Sequence, residues 1–168
     1  MVVQIRPEQP TDILAIREVN HLAFGQGLEG QIVDALRSNN AVLLSLVALV
    51  ENQIVGHILY SPLSIDDKIV GAGLGPMAVL PNHQRRGIGS QLITAGNQHL
   101  KDSGCPFIVV LGHPDYYPRF GFTPASTHGI KCEWDVPDDA FMLLILDESK
   151  MHAISGLAKY RPEFSAAV

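Results

Sequence analysis

The turn formed by residues 84–90 carries the residue types best suited to chemistry in this sequence. Gly87 and Gly89 stand one residue apart where an apolar run gives way to a helical pattern, and Arg85 and Arg86 precede them. Paired glycines at a helix start let the backbone approach a ligand closely, and the first free amides carry the positive end of the helix dipole. Guanidinium groups add charged donors for phosphate oxygens. The turn is therefore predicted to bind a phosphate group.

Two other phosphate-binding motifs do not fit this turn. A Walker loop requires Gly-Lys followed by Ser or Thr, which is absent here, and the dinucleotide fingerprint requires a third glycine, which is missing. A plainer alternative, in which Gly87 and Gly89 only tighten a connection between a strand and a helix, stays open on these residues alone.

The elements around the turn form a strand, a helix and a second strand. Residues 74–80 are an apolar run that ends at Pro81 and predicts a buried strand. The helical pattern of residues 88–101 is followed by Gly104 as a C-terminal cap, and residues 107–111 predict another buried strand. Because a helix joins them, the two strands should be parallel, with a right-handed crossover.

A second block of residues follows this unit, and residues 116–122 read Tyr-Tyr-Pro-Arg-Phe-Gly-Phe. Together with Gln84, Gly87 and Gly89, this block resembles the acetyl-coenzyme A signature and the segment after the fifth strand in the GNAT family of N-acetyltransferases. The resemblance extends roughly over residues 5–146 and is closest to the subgroup of small bacterial-type members often labelled YhbS-like. It implies the GNAT fold, an α/β (α+β) arrangement whose mixed, largely antiparallel seven-stranded sheet is flanked by helices, with splayed parallel strands 4 and 5.

The resemblance also implies acetyl-coenzyme A (acetyl-CoA) as co-substrate. The amides of the turn would bind the pyrophosphate, the free backbone of the splayed fourth strand would pair with the pantetheine arm, and an amide of Ala78 or Met77 would polarise the thioester carbonyl. The implied cofactor-binding residues are Met77, Ala78, Val79, Gln84, Arg85, Arg86, Gly87, Ile88, Gly89, Ser90 and Tyr117.

Tyr117 is predicted to serve the departing thiolate. In the resembled family a tyrosine four residues before the Gly-Phe pair faces the thioester sulfur, and Tyr117 has this spacing from Gly121. A phenol, with a usual pKa of about 10, can protonate a leaving sulfur. The ring of Tyr116 would point about 100° away on a short helix. The alternative is that both rings only pack at the edge of the core.

A general base is not evident, because residues 74–80 contain no ionisable side chain where many relatives place a carboxylate. His113 and Asp115, after the second strand, are the best-placed predicted substitutes, followed by Glu29 and then His83, and a chain of water molecules would also serve. A lysine amine, with a pKa of about 10.4, is almost fully protonated at neutral pH. The missing base therefore favours an acceptor of lower pKa, such as an α-amine, an amino acid or an arylamine.

Three residues are candidates for substrate contact. Phe24, Gln26 and Glu29 lie at the joint between two predicted helices, which overhangs the acceptor site in the resembled family. A flexible connector with a solvated Glu29 explains them equally well.

The rest of the chain is assigned more coarsely. Apolar spacing places Ile13, Leu14, Ile16, Val19 and Leu22 on the buried face of the first helix. His57, inside a predicted strand, is assigned no role. The remaining predicted elements are a strand at 2–6, a second helix at 28–37, strands at 42–50 and 54–60, a turn at 62–68, a strand leading in from 69, an irregular segment at 123–139 and a strand at 141–146.

Length and composition bound the remaining possibilities. At 168 residues the chain is predicted to be a single domain, 1–168, with a core over about 2–147 and a tail over 148–168 that forms a closing hairpin or a partner arm. A net charge of −5 argues against a nucleic-acid partner, and no apolar run approaches the ~20 residues that span a membrane. Two cysteines favour a reduced, cytoplasmic setting, no residue spacing matches a metal site, and the apolar tail suggests a homodimer.

The predicted activity is N-acetyl transfer from acetyl-CoA to a primary amine, on a small molecule or a protein or peptide, by direct attack in a ternary complex. The alternative is a non-catalytic sensor or partner domain that binds CoA or acyl-CoA, which the missing carboxylate keeps open.

Overall fold

Nine strands form one mixed sheet within residues 1–167, the part of the chain that the computed structural model describes. The strands are β1 (Gln4–Pro7), β2 (Leu44–Val50), β3 (Gln53–Ile65), β4 (Lys68–Val79), β5 (Phe107–Leu111), β6 (Thr123–Pro124), β7 (Ile130–Cys132), β8 (Phe141–Ile145) and β9 (Gly156–Lys159). Three α-helices flank them, namely α1 (Ile13–Phe24), α2 (Leu28–Ser38) and α3 (Ile88–Asp102).

The strand order confirms the predicted mixed sheet. A path of seven strands runs β1-β2-β3-β4-β5-β8-β6, and every neighbouring pair on it is antiparallel except β4 with β5, which are parallel and joined through α3. Two short strands extend this path, because β9 pairs with β3 and β7 pairs with β9. They lie in segments predicted to be irregular or a tail, where three or four residues give too little pattern to identify a strand.

The helices cover opposite faces of the sheet, and β5 shows this most directly. Phe107 and Val109 face the side covered by α1 and α2, whereas Ile108 and Val110 face the side covered by α3. This alternation follows from the two-residue repeat of a strand and explains why all four side chains are apolar. The sheet is thus buried on both faces where the parallel pair lies.

The first helix turns a different face to the core than its apolar spacing predicted. Leu14 and Leu22, expected to be buried, are 73% and 46% exposed. The buried residues of α1 are Ile16, Val19 and the polar Asn20. Asn20 is buried because it meets a partner far away in the sequence. The positions of the apolar residues alone therefore did not indicate which face of α1 is buried.

Strand β3 is longer than predicted and contains Pro62, which was assigned to a turn. The hairpin reverses at Asp66 and Asp67 instead, both at positive φ. Proline is tolerated here because the β2 side of β3 is paired only as far as Tyr60, and β9 begins to pair at Ser64. The missing amide of Pro62 therefore faces a gap between two neighbouring strands.

The glycines of β4 make room for aromatic rings. A Cβ atom at Gly71 would lie 2.6 Å from the ring of Phe107, and one at Gly73 would lie 2.7 Å from the ring of Tyr160. Register shifts interrupt the β3–β4 ladder on either side of this region. The two glycines thus allow β4 to pack closely against β5 and the C-terminal segment.

The C-terminal segment packs against the sheet of the same chain. Ala158, Tyr160 and Phe164 are buried in the cluster beneath α1 and α2. The segment adds strand β9 beside β3, so the apolar residues that suggested a homodimer are largely occupied within the chain. Of the helices described over residues 1–167, none has the length and apolar character needed to cross a membrane.

Candidate active site

The site begins where β4 and β5 separate. Their register ends at Leu74 opposite Val110, while β4 continues to Val79 paired only with β3 on its other side. Among the described residues, no strand therefore pairs with the β5-facing edge of residues 75–79. Free backbone groups along that edge can accept an extended ligand as an added strand.

The turn after β4 has the backbone of an anion-binding site. Arg85 and Gly87 adopt positive φ values of 63° and 81°, and α3 begins at Ile88 with Gly87 as its N-cap. The first amides of a helix have no partner within it, and no side chain caps those of α3. Successive amides in such a turn, with the helix dipole behind them, form a concave seat for phosphate.

Gln84 contributes to this site through a hydrogen bond from its side chain to the backbone. Its side-chain Nε2 donates to the carbonyl oxygen of Val79 at 2.9 Å, which ties the turn to the end of β4. This bond explains a glutamine at the start of the motif, because the bond fixes the direction in which the chain leaves the strand.

The free strand edge and the turn open into a single cleft of about 520 Å³. It is lined by Ala23, Phe24, Met77, Ala78, Val79, His83, Gln84, Arg85, Gly87, Ile88, Gly89, Ser90, Tyr116 and Arg119. All the predicted cofactor-binding residues line it except Arg86 and Tyr117. Arg86 lies beside a neighbouring hollow that it shares with His83 and the N-terminus.

The two adjacent tyrosines take different positions. Tyr116 lines the cleft, with its hydroxyl 3.4 Å from the Ser90 hydroxyl and the Arg119 guanidinium 4.7 Å from its ring centre. Tyr117 is buried behind it, edge-on to Tyr116 and Phe122. Burial, and secondarily the nearby Tyr116, raises the pKa of Tyr117 above its usual value, so this phenol keeps its proton at neutral pH.

Of the four candidate bases, only His83, the last of them, lines the cleft. His113 and Asp115 are exposed in the turn between β5 and the short helical turn Tyr117–Phe120. The carbonyl of His113 accepts hydrogen bonds from the amides of Tyr116 and Tyr117, at 3.1 and 3.3 Å. His113 therefore contributes its backbone to the placement of both tyrosines.

The candidate substrate residues are divided by the structure. Phe24, at the end of α1, lines the cleft, whereas Gln26 and Glu29 do not. Gln26 donates to one carboxylate oxygen of Glu29 at 3.1 Å, and the other oxygen, Oε2, is buried without a partner among the described residues. The joint between α1 and α2 thus brings one predicted residue to the cleft, whereas the other two contact each other outside its lining.

Three cleft residues were not among the site predictions, namely Ala23, Tyr116 and Arg119, and His83 was predicted only as a possible base. The spacing of Tyr116 and Arg119, three residues apart within one block, could have indicated the stacked pair. Ala23 gave no signal, because only the packing of α1 against β4 brings it there. Over residues 1–167 there is no group of three or more His, Cys, Asp or Glu side chains that could hold a metal ion.

Known proteins are similar to this chain in sequence and in fold. Residues 42–124 match the family described as Acetyltransferase (GNAT) domain. The chain is 31% identical over 163 residues to the uncharacterized N-acetyltransferase YhbS of Escherichia coli K12, an alignment that covers 96% of this chain and 98% of that protein.

Two crystal structures agree with this match. YhbS from Escherichia coli in complex with CoA superposes with a TM-score of 0.92 at 30% identity, covering 96% of this chain and 91% of that one. A GNAT family acetyltransferase from Brucella melitensis in complex with acetyl-CoA gives a TM-score of 0.83 at 36% identity, covering 98% and 99%. The predicted resemblance is confirmed, and this chain belongs to the GNAT family of N-acetyltransferases.

Proposed function

We propose that the protein transfers the acetyl group of acetyl-CoA to a primary amine by direct attack within a ternary complex. One observation carries this proposal: the free edge of β4 and the uncapped start of α3 open into the same cleft. A ligand that is extended at one end and carries a diphosphate at the other fits both features. Relatives of this chain crystallised with CoA and with acetyl-CoA support the choice of ligand.

The donor is bound mainly by backbone. The amides of residues 87–90 take the pyrophosphate, with Arg85 and Arg119 at the mouth of the cleft as charged donors. The pantetheine arm pairs with residues 77–79, and the amide of Ala78 or Met77 stabilises the oxyanion that forms when the carbonyl is attacked.

The chemical step balances without an acyl-enzyme. The amine nitrogen attacks the thioester carbonyl carbon, the carbon–sulfur bond breaks, and the thiolate takes a proton from the phenol of Tyr117. The new ammonium loses a proton to water, directly or on the way to His113 or Asp115 outside the cleft, and a proton from solvent restores the phenol. The raised pKa keeps the phenol of Tyr117 protonated at neutral pH and also makes it a weaker acid, so the proton moves only as negative charge develops on the departing sulfur.

The position of Tyr116 makes a parallel test necessary. Thiol release should be measured for wild type, Tyr117→Phe and Tyr116→Phe with a panel of amines that includes α-amines, arylamines and lysine. We expect Tyr117→Phe to lower kcat about 100-fold or more, and Tyr116→Phe to raise the KM for acetyl-CoA with little change in kcat. The reverse result would assign the proton to Tyr116, and a wild type that binds CoA but acetylates no amine would support a sensor.

The acceptor is proposed to be an amine of lower pKa than lysine, either a small molecule or an α-amine of a protein or peptide. The cleft contains no carboxylate among the described residues that could remove a proton from an ammonium. Phe24 would contact the acceptor, with Gln26 and Glu29 behind it. A pH–rate profile with a base of pKa near 7 that disappears in His113→Ala would instead assign the base to His113.

The setting of the reaction is proposed from composition. We expect a reduced cytoplasm, where two unpaired cysteines are ordinary. A homodimer stays a prediction, and light scattering of the purified chain would test it.

A further inference from the structure

Tyr160, in the C-terminal segment, contacts both strands at the point where they separate. Its hydroxyl lies 2.9 Å from the carbonyl oxygen of Leu74 in β4 and 3.3 Å from that of Val109 in β5. Leu74 and Val110 are the last residues paired between these strands. One side chain thus bridges the two backbones immediately before the cleft opens.

The ring of Tyr160 is held in this place by its surroundings. It packs on the backbone of Gly73, where a Cβ would lie 2.7 Å away. The Phe164 ring contacts it edge-on at 4.9 Å between ring centres, and the Trp134 ring lies at 5.7 Å. Because a side chain at position 73 would collide with the ring, the close approach of Tyr160 to β4 depends on glycine there.

The segment around Tyr160 is anchored independently of the cleft. The amide of Tyr160 donates to Glu133 at 2.8 Å, and strand β9, which precedes it, pairs with β3. Farther along, the carboxylate of Glu163 accepts from Asn39 at 2.9 Å. These contacts hold the backbone of the segment in place. The Tyr160 hydroxyl can therefore fix the positions of β4 and β5.

We propose that Tyr160 is a positioning residue for CoA, fixing the place at which β4 and β5 part and hence the location of the free edge at residues 77–79. This inference rests on the proposed function, because the edge matters only if the pantetheine arm pairs with it. Without the hydroxyl, the two carbonyls at the junction lose the single O–H donor that they share, and β4 can shift relative to β5. A strand edge that is displaced by a fraction of an ångström no longer matches the hydrogen bonds of the arm.

Tyr160→Phe removes the hydroxyl and keeps the ring, and Tyr60→Phe is its matched control. Tyr60 is also a buried tyrosine and lies opposite Leu74 in the β3–β4 ladder, but its hydroxyl donates to Asn97 in α3 at 2.8 Å and to no carbonyl of β4 or β5. The dissociation constant for CoA alone should be measured by calorimetry, together with the melting temperature of each protein without ligand. We expect both variants to melt at lower temperature, and only Tyr160→Phe to weaken CoA binding, by about tenfold.

A structural role alone would lower the melting temperature of Tyr160→Phe and leave its affinity for CoA within twofold of wild type, which would overturn the inference. If Tyr160→Phe does not fold, Phe164→Leu loosens the same ring and should weaken CoA binding about threefold, and an unchanged affinity there would equally overturn it. Wild type that fails to bind CoA would overturn the proposed function and this inference together. Wild type that binds CoA, with Tyr160→Phe unaffected, would overturn the inference alone.

Discussion

His57 lies fully buried at the centre of a chain of polar side chains. Its Nδ1 is 3.2 Å from Nδ2 of Asn20 in α1, and its Nε2 is 2.9 Å from the hydroxyl of Ser45 in β2. An amide nitrogen can only donate, so Nδ1 accepts and Nε2 carries the proton of a neutral ring. Ser45 donates in turn to Glu8 at 2.9 Å, and Glu8 is paired with Arg37 at 2.7 Å.

The surroundings of His57 disfavour its charged form. Burial lowers the pKa of His57 from 6.5 to about 4, with Glu8 acting to raise it and Arg37 to lower it. Asn20 and Ser45, which touch the ring, carry no charge. A histidine that stays neutral when folded but takes up a proton when unfolded makes the folded state less stable as the pH falls below 6.5.

Stability should therefore decrease by about 2 kcal/mol between pH 7 and pH 4.5 through His57 alone. Urea unfolding at a series of pH values measures this slope. In His57→Asn the loss of stability between pH 7 and pH 4.5 should be smaller by about that amount, although the variant is less stable at pH 7. His99→Asn, which changes an exposed histidine of α3, should leave the slope unchanged, and an equal slope in His57→Asn and wild type would contradict the assignment.

At the scale of elements, the sequence predicted best where a local pattern and the tertiary environment agree. The strand at residues 107–111 was predicted with its observed bounds, because a strand buried on both faces is apolar throughout. The buried face of α1 was predicted poorly. Asn20 is buried only because His57, 37 residues away, meets it, and no pattern within a helix reveals that partner.

Two glycines within helices offer an element-scale test. Gly96 in α3 faces the ring of Tyr60, which a Cβ would overlap, whereas Gly30 in α2 faces the side chain of Arg17 at 3.4 Å. Alanine stabilises a helix by about 1 kcal/mol relative to glycine, and overpacking costs about 1–3 kcal/mol. Gly96→Ala should therefore destabilise the protein by up to about 2 kcal/mol, and Gly30→Ala should stabilise it by up to about 1 kcal/mol.

Thermal unfolding of the two variants beside wild type checks this pair. The same substitution in two helices differs only in what the new methyl group meets, so propensity cancels from the comparison. Equal changes in melting temperature would show that the ring of Tyr60 moves aside without cost and that Gly96 is not required for α3 to approach the sheet.

At the scale of the molecule, the shape of the turn at residues 84–90 was predictable and the packing of distant residues around the cleft was not. The turn is contiguous in the sequence, so its glycines and arginines form a visible pattern. Ala23 reaches the cleft from α1, and Tyr160 reaches the β4–β5 junction from the C-terminal segment, whereas Phe24 was predicted there only through the family resemblance. Such residues come together only through packing across the sheet, which no local spacing records.

Binding of the donor should be visible as stabilisation of the folded chain. A ligand that binds only the folded state at 100 times its Kd adds about 2.7 kcal/mol, which for a chain of this length raises the melting temperature by roughly 5–10 °C. CoA and acetyl-CoA should both give this shift. ATP and NAD carry an adenosine with phosphates but no pantetheine arm, so they can use the turn at residues 84–90 and not the free edge of β4.

The difference between these ligands separates the contribution of the turn from that of the strand edge. At equal concentration, ATP and NAD should raise the melting temperature by less than half the shift given by CoA, and added salt should reduce their effect most, because it rests on charge. Protection by ATP or NAD equal to that by CoA would mean that the edge at residues 77–79 binds nothing. The cleft would then be a nucleotide site, and the separation of β4 from β5 would not contribute to binding the donor.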